Sequence, residues 1–175
     1  PLSGVVLARA FLAGGLSTYL PVLITQQGGS LWLAGASLTL FEAAGVVGAF
    51  AGGTLSDRFG RRRVLFLTML VASVFIFAFL SASGWLQFPL LLVLGFSVLS
   101  TMPIFMAIMQ ESFPENRALA TGVFLALSFI LRSGAVVLLG AVADGYGMRT
   151  AFVISGIVSV AALPLIFLLP QRRDT

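Results

Sequence analysis

The chain has 175 residues, of which 59% are hydrophobic and only 9% are charged, and its mean hydropathy is +1.09. Soluble domains carry about 25% charged residues, so a soluble fold of this size could not hide so much apolar surface. The composition therefore predicts a protein whose solvent is the lipid bilayer. The net charge of +4 comes from arginines in interhelical loops, which favours a role in membrane topology over nucleic-acid binding.

The sequence contains no cysteine and no histidine. It therefore has no disulfide framework, no thiolate chemistry, no Ser-His nucleophile and no histidine ligand for zinc or haem. We expect neither an enzyme nor a cofactor or metal site. The chain begins at Pro1 without the layout of a signal peptide, so we expect a fragment of a longer polypeptide.

Six apolar segments reach the roughly 20 residues that a helix needs to span a bilayer. They are predicted at residues 2–25, 31–54, 64–82, 88–110, 118–143 and 150–169. Polar breaks separate them, and the last segment is followed by a polar tail at residues 170–175. The predicted fold is an all-α membrane protein with six transmembrane helices.

The arginines outside these segments are distributed unequally between the two sides of the predicted bundle. Seven of them share one side: Arg58, Arg61, Arg62, Arg63, Arg117, Arg172 and Arg173. The other side has only Arg149. Because arginine-rich loops stay in the cytoplasm, the loop between helices two and three and both termini are predicted to be cytoplasmic.

The one dense charge cluster lies between the second and third predicted helices. It follows the pattern Gly-x-Leu-x-Asp-Arg-x-Gly-Arg-Arg, with these residues at Gly53, Leu55, Asp57, Arg58, Gly60, Arg61 and Arg62. This pattern resembles the signature loop of the major facilitator superfamily of secondary transporters. The resemblance implies one six-helix half of a twelve-helix transporter that works by alternating access, each half being built from inverted three-helix repeats.

Two further loops bear on this architecture. The segment Glu111-x-x-Pro114-x-x-Arg117 resembles the loop before the eleventh helix of the family. This resemblance favours the C-terminal half of the transporter, so that the other six-helix half is an expected partner of this chain. The turns after the second and fifth helices have similar patterns of glycine and aspartate. An inverted repeat would explain the similarity, and so would an independent need for a tight Gly-Asp turn at each place. The matching residues are Gly53, Asp57 and Gly60 in one turn and Gly140, Asp144 and Gly147 in the other.

The resemblance also implies a conformational latch. Gly53 and Gly60 permit close backbone approach and turn geometry, and Asp57 can meet the positive N-terminus of a helix from the opposite half. Arg58, Arg61 and Arg62 can then pair with nearby acids, and the first candidate is Glu111 at the end of helix four. The alternative is a positive-inside anchor without a switching role.

Three charged residues lie inside predicted spans: Arg9, Glu42 and Arg132. Each costs about 3 kcal/mol or more in lipid, so such residues face a cavity or a partner. Glu42 is the candidate for proton coupling because desolvation can raise a carboxyl pKa towards the working pH. Arg132 is the candidate binder of an anionic substrate group or the counter-ion of Glu42. The alternative is a structural ion pair of Glu42 with Arg132 or Arg9, and Arg9 could also snorkel to the interface.

Helical periodicity adds Thr39 to the face of Glu42 and Ser128 to the face of Arg132, so Thr39, Ser128, Arg9 and Arg132 are the candidate substrate-binding residues. Residues 42–48 and 110–114 resemble fosmidomycin-resistance-like, drug-efflux members of the family. The function expected from this resemblance is proton-coupled efflux of a drug-like or amphipathic compound. Proton-coupled uptake of an organic anion or sugar is the main alternative, and a non-transporting membrane receptor or structural partner is the alternative from another class.

The expected partners are a small-molecule substrate, protons, the lipid bilayer and the other six-helix half, without nucleic acid. The expected location is the plasma or inner membrane.

Overall fold

The computed structural model describes residues 2–168, which form six long helices joined by short connections. The helices are α1 (Leu2–Gln26), α2 (Leu31–Phe59), α3 (Arg61–Ser81), α4 (Gln87–Ser112), α5 (Arg117–Tyr146) and α6 (Met148–Ile166), with single 3₁₀ turns at Gly84–Leu86 and Pro114–Asn116. Each helix is long and apolar enough to cross a membrane. The shortest, α6, has 19 residues and spans about 28 Å at 1.5 Å per residue, close to the hydrocarbon thickness of a bilayer. The predicted all-α fold with six membrane helices is confirmed.

The charged signature segment is helical, contrary to the loop predicted there. α2 continues past residue 54 to Phe59, and α3 begins at Arg61, so Gly60 alone connects the two helices. Its φ of +90° suits glycine, and its N–H donates to the carbonyl of Ser56 at 3.1 Å. The prediction ended the helix where the apolar run ends, but backbone hydrogen bonding continues through charged residues at the membrane surface.

The connection between α5 and α6 has the same form. Gly147, at a φ of +87°, is again the one connecting residue, and its N–H donates to the carbonyl of Ala143 at 2.9 Å. The predicted turn at residues 144–149 is therefore almost entirely helical, and Arg149 lies in the first turn of α6. Helix α6 ends at Ile166 rather than near residue 169, and Arg172 and Arg173 of the predicted tail lie outside the described residues.

The six helices differ in how deeply they are packed. In the membrane-spanning stretches of α1 and α4, 56% of the residues are buried, against 28% in α2 and 17% in α5. α1 packs against α2, α5 and α6, while α4 packs against α2, α3 and α5. α1 thus lies between the two most exposed helices. We call the surface formed by the exposed sides of α1, α2 and α5 the open face.

Glycines bring α2 and α4 into backbone contact. A Cβ atom on Gly48 would overlap the carbonyl oxygen of Phe96, and one on Gly95 would overlap that of Phe41. At Gly52 it would lie 2.6 Å from the carbonyl oxygen of Ser100. Small residues at such crossings allow close helix packing in lipid, where apolar side chains gain little by leaving the solvent. This contact fixes the position of α2, which carries Glu42 and the signature segment.

The apolar core consists of two clusters separated by polar side chains. One cluster includes Phe105 and Phe124 and lies towards the motif end, the end of the bundle that carries Gly60. The other includes Phe41 and Phe79 and lies towards the opposite end. Between them, the buried hydroxyls of Ser73 and Ser159 lie 2.7 Å apart, joining α3 to α6. At the boundary of the two clusters, Arg9 donates to Thr101.

Candidate functional site

At the motif end, Arg61 contacts two carboxylates from different helices. Its Nη2 lies 2.9 Å from Oε1 of Glu111 at the end of α4 and 3.4 Å from Oδ1 of Asp57, one turn earlier in the chain. The Arg61 side chain is 22% exposed, against 66% for Asp57 and 38% for Glu111. Nη1 of Arg61 is buried and has no hydrogen-bond partner within residues 2–168. Asp57 therefore retains an accessible carboxylate, and Arg61 retains an unused donor.

The remaining residues of the signature segment have separate surroundings. Arg62 donates through Nη2 to the carbonyl of Phe167, and its guanidinium lies 5.1 Å from the centre of the Phe167 ring. Arg58 is exposed and forms no ion pair within the described part of the chain. Leu55 is partly exposed, and a Cβ on Gly53 would meet no atom within 4 Å. Of the three arginines expected to pair with acids, only Arg61 does so within residues 2–168.

Glu42 lies on the exposed side of α2 and is hydrogen-bonded to α1. The hydroxyl of Ser17 donates to its Oε1 at 2.8 Å. Within residues 2–168, neither Arg9 nor Arg132 lies within ion-pair distance of Glu42, so the structural ion pair considered above does not form. For Arg9 the reason is depth, since Ser17, the Glu42 contact on α1, is eight residues beyond Arg9, about 12 Å along the helix.

Arg9 extends from α1 towards α4. Its Nε donates to Oγ1 of Thr101 at 2.8 Å, and its stem lines a cavity of about 10 Å³, room for about one water molecule, with Leu12, Met69 and Ala72. This cavity is too small for a substrate.

Arg132 is exposed on α5 and passes close to α1. A Cβ on Gly14 would lie 3.3 Å from Cγ of Arg132. One turn earlier, Ser128 is buried, and its hydroxyl has no hydrogen-bond partner within residues 2–168. Thr39, on α2, is exposed but donates to its own helix at the carbonyl of Gly35. Of the candidate substrate-binding residues, the structure thus brings Arg132 against α1, the helix that carries Arg9, with Ser128 one turn from Arg132 on α5, and leaves Thr39 apart on α2.

Three contacts at these sites were missing from the sequence-based predictions. Ser17 bonds Glu42, Thr101 bonds Arg9, and Phe167 contacts Arg62. The first two have a signal that could have found them, since a hydroxyl within an apolar span is a suitable partner for a buried charge. The Phe167 contact carries no such signal, because Phe167 is apolar and lies 105 residues from Arg62 in the chain.

A family comparison covers the whole described chain. The model of the Major Facilitator Superfamily matches residues 2–175. Among curated proteins, the chain is 28% identical over 134 residues to the uncharacterized MFS-type transporter YfnC of Bacillus subtilis, covering 77% of this chain and 32% of that protein. It is 24% identical to the fosmidomycin resistance protein of Escherichia coli over 169 residues, which are 96% of this chain and 41% of that protein.

The enterobactin exporter EntS of Shigella boydii is 27% identical over 175 residues, covering 92% of this chain and 42% of that protein. The chain thus spans about two fifths or less of the length of these relatives. Among solved structures, the peptide transporter POT in complex with alafosfalin superposes with a TM-score of 0.81 at 17% identity, covering 95% of this chain and 37% of POT. Six membrane-length helices, the signature segment and the family match lead to one conclusion: the chain is an integral, multi-pass membrane protein that belongs to the Major Facilitator Superfamily.

Proposed function

We propose that the chain is one half of a secondary transporter that exports a drug-like or amphipathic compound in exchange for protons by alternating access. The observation that carries the proposal is the hydrogen bond of Glu42 to Ser17 on the open face. A cationic partner would hold Glu42 ionised. A hydroxyl both donates and accepts, so Ser17 can serve the carboxylate and the carboxylic acid alike. Glu42 is therefore suited to taking up and releasing a proton.

The open face supports the proposal that a second six-helix half completes the transporter. Charged side chains on a membrane helix are costly unless they face protein or water. Glu42 and Arg132 are both exposed on this face, so lipid is an unsuitable neighbour for it. We place the chain as the C-terminal half, with the motif end in the cytoplasm, in line with the arginine distribution.

The motif end is suited to act as the latch between the halves. Arg61 holds Glu111 and Asp57 together, while Asp57 remains largely exposed. An exposed carboxylate at that end can interact with the N-terminus of a helix in the other half, which carries a partial positive charge. Such a contact would be made in the outward-facing state and broken when the cytoplasmic side opens.

The direction of transport is proposed from the relatives. Two of them are named as a fosmidomycin resistance protein and an enterobactin exporter, which favours efflux. Uptake of an organic anion or sugar is the second candidate, and the exposed guanidinium of Arg132 is the observation that favours an anion. POT, at 17% identity, supports the fold alone.

The experiment is counterflow in proteoliposomes that contain the complete transporter. Fosmidomycin and a set of neutral and charged amphipathic compounds are the probes, and a trapped pH-sensitive dye reports proton movement. We expect at least one compound to exchange across the membrane and to accumulate against its gradient when a pH gradient is applied. A protein that exchanges none of the probes would contradict the proposal and favour a receptor or structural partner. Exchange without accumulation would contradict proton coupling.

A further inference from the structure

Two arginines in the membrane-spanning part of the bundle have no acidic partner. Within residues 2–168, neither Arg9 nor Arg132 lies within ion-pair distance of a carboxylate, and Glu42 is bonded to Ser17 instead. An unpaired cation in a membrane-spanning segment is costly, so such groups are normally matched by a partner charge. The two positive charges therefore call for an anion that residues 2–168 do not supply.

Arg9 is held by one atom and leaves the rest of its guanidinium unused. Nε donates to Thr101, whose own hydroxyl donates to the carbonyl of Val98. The two terminal nitrogens have no hydrogen-bond partner within the described residues, yet they are not sealed from the surroundings. Two parallel N–H donors on a fixed fork match the two oxygens of a carboxylate or phosphonate.

Arg132 approaches the same region from α5. Helices α1 and α5 both start at the motif end, and Gly14 leaves room for the stem of Arg132 against α1. Side chains on a helix lean towards its N-terminus, so the guanidinium of Arg132 is directed towards the depth of Arg9. Gly14 is five residues beyond Arg9, so the stem of Arg132 meets α1 about 7.5 Å along the helix axis from Arg9.

Ser128 adds a neutral donor one turn from Arg132. Its side chain is more than nine-tenths buried, and its hydroxyl is the only buried side-chain oxygen within residues 2–168 that has no hydrogen-bond partner. An unused buried hydroxyl costs free energy that a ligand can recover by accepting its proton. Ser128 is buried on α5 and lies one turn from Arg132, on the side of that arginine nearer the motif end.

We propose that Arg9 and Arg132 form a site for an oxyanion, and that the transported compound carries a carboxylate, phosphonate or phosphate group bound there. This inference rests on the proposed transport function and narrows its substrate to organic anions. Ser17 holds the Glu42 carboxylate about 12 Å beyond Arg9 along α1, and within residues 2–168 Glu42 forms no ion pair with either arginine, so it does not neutralise them. The arrangement separates anion binding from proton binding along the same face.

The test measures binding to the complete transporter in nanodiscs of phosphatidylcholine. The probes are 3-phenylpropionate and phenylphosphonate, with 3-phenylpropionamide and 3-phenylpropylammonium as neutral and cationic counterparts. We expect the two anions to bind and the counterparts to bind at least roughly tenfold more weakly. Arg132→Gln and Arg9→Gln should each weaken anion binding by roughly tenfold, Arg132→Lys by less, and Arg149→Gln, on an exposed arginine outside the site, not at all.

Equal binding of the amide and the anions would overturn the proposal. So would unchanged anion binding together with lowered thermal stability in Arg132→Gln, which would show that an acid of the other half neutralises the arginine. The binding measurement is repeated in nanodiscs of phosphatidylglycerol, whose headgroup is anionic. Loss of anion binding there would assign the site to a lipid headgroup and overturn the substrate assignment. Counterflow of a neutral or cationic compound would support the proposed transport function and contradict the oxyanion site. Binding of anions without counterflow would support the oxyanion site and contradict the proposed transport function.

Discussion

Nη2 of Arg61 lies 2.9 Å from Oε1 of Glu111 and 3.4 Å from Oδ1 of Asp57, so one guanidinium joins the ends of α2, α3 and α4. The pairs are partly exposed, and exposed pairs contribute about 0–1 kcal/mol. Their main effect is therefore on the position of Asp57, rather than on the stability of the half.

The first prediction concerns this contact. Asp57→Asn and Arg61→Gln should lower the transport rate roughly fivefold or more, because they remove the proposed latch between the halves. Membrane insertion and thermal stability should stay near those of the unchanged protein. Arg63→Gln is the matched control, since Arg63 is exposed and forms no ion pair within residues 2–168. Counterflow rates in reconstituted vesicles provide the measurement, and unchanged rates in Asp57→Asn would reject the latch.

Glu42→Gln should abolish gradient-driven transport while substrate exchange continues. Glutamine keeps the shape and a hydrogen bond to Ser17 but cannot release a proton at physiological pH. Glu115→Gln, on an exposed carboxylate between α4 and α5, is the control. The measurement compares accumulation under a pH gradient with counterflow without one. Full accumulation in Glu42→Gln would show that another group carries the proton.

Gly48→Ala should destabilise the half by about 1–3 kcal/mol, because its Cβ would push against the backbone of α4 at Phe96. Gly35→Ala lies on the same helix with no atom within 4 Å of its Cβ and should change stability by less than about 1 kcal/mol. Denaturation in detergent measures both variants. Equal stability of the two would mean that α2 and α4 can separate without cost.

The hydroxyls of Ser73 and Ser159 should show a coupling free energy of about 0.6 kcal/mol in a double-mutant cycle to alanine, the average for such contacts in membrane helices. Ser155 is the comparison, because its hydroxyl bonds to Ala151 of its own helix. The Ser73–Ser155 cycle should therefore give a coupling near zero. A coupling near zero for Ser73–Ser159 as well would remove this bond from the forces that hold α3 to α6.

Arg62→Gln should loosen the last turn of α6, since it removes both the hydrogen bond to the Phe167 carbonyl and the contact with the Phe167 ring. Hydrogen exchange at Phe167 and Leu168, whose N–H groups bond to Pro164 and Leu165, should become faster. Arg58→Gln, at an exposed arginine of the same segment, should leave exchange there unchanged. No acceleration in Arg62→Gln would show that other packing holds this turn.

The sequence was most informative about spans and least informative about their ends. A segment that crosses lipid must be a long apolar helix, so the six apolar segments between polar breaks predict six spans. Apolarity stops at the membrane surface, whereas helical hydrogen bonding does not, and so α2 was predicted to end five residues before Phe59. The glycines at 60 and 147 are recognisable in the sequence as turn residues. The sequence does not show that each of them is the whole connection between two helices.

For the candidate site, the sequence identified the charges but could not assign their partners. Glu42, Arg9 and Arg132 stand out because charged residues are rare in apolar spans. An ion pair of Glu42 with an arginine is a reasonable expectation from the sequence, yet the partner of Glu42 is Ser17. Which residue of α1 meets Glu42 depends on how α1 packs between α2 and α5. Helical periodicity fixes neighbours within one helix only.

The single-residue connections at Gly60 and Gly147 have an evolutionary consequence. If the following helix took up one residue inserted there, it would turn by about 100° about its axis and bring different side chains towards the bundle. Loop-length variation among related chains should therefore avoid these two points. It is easier to accommodate at residues 27–30 and 82–86, where several residues connect the helices and an added one can be absorbed without rotating a packed surface.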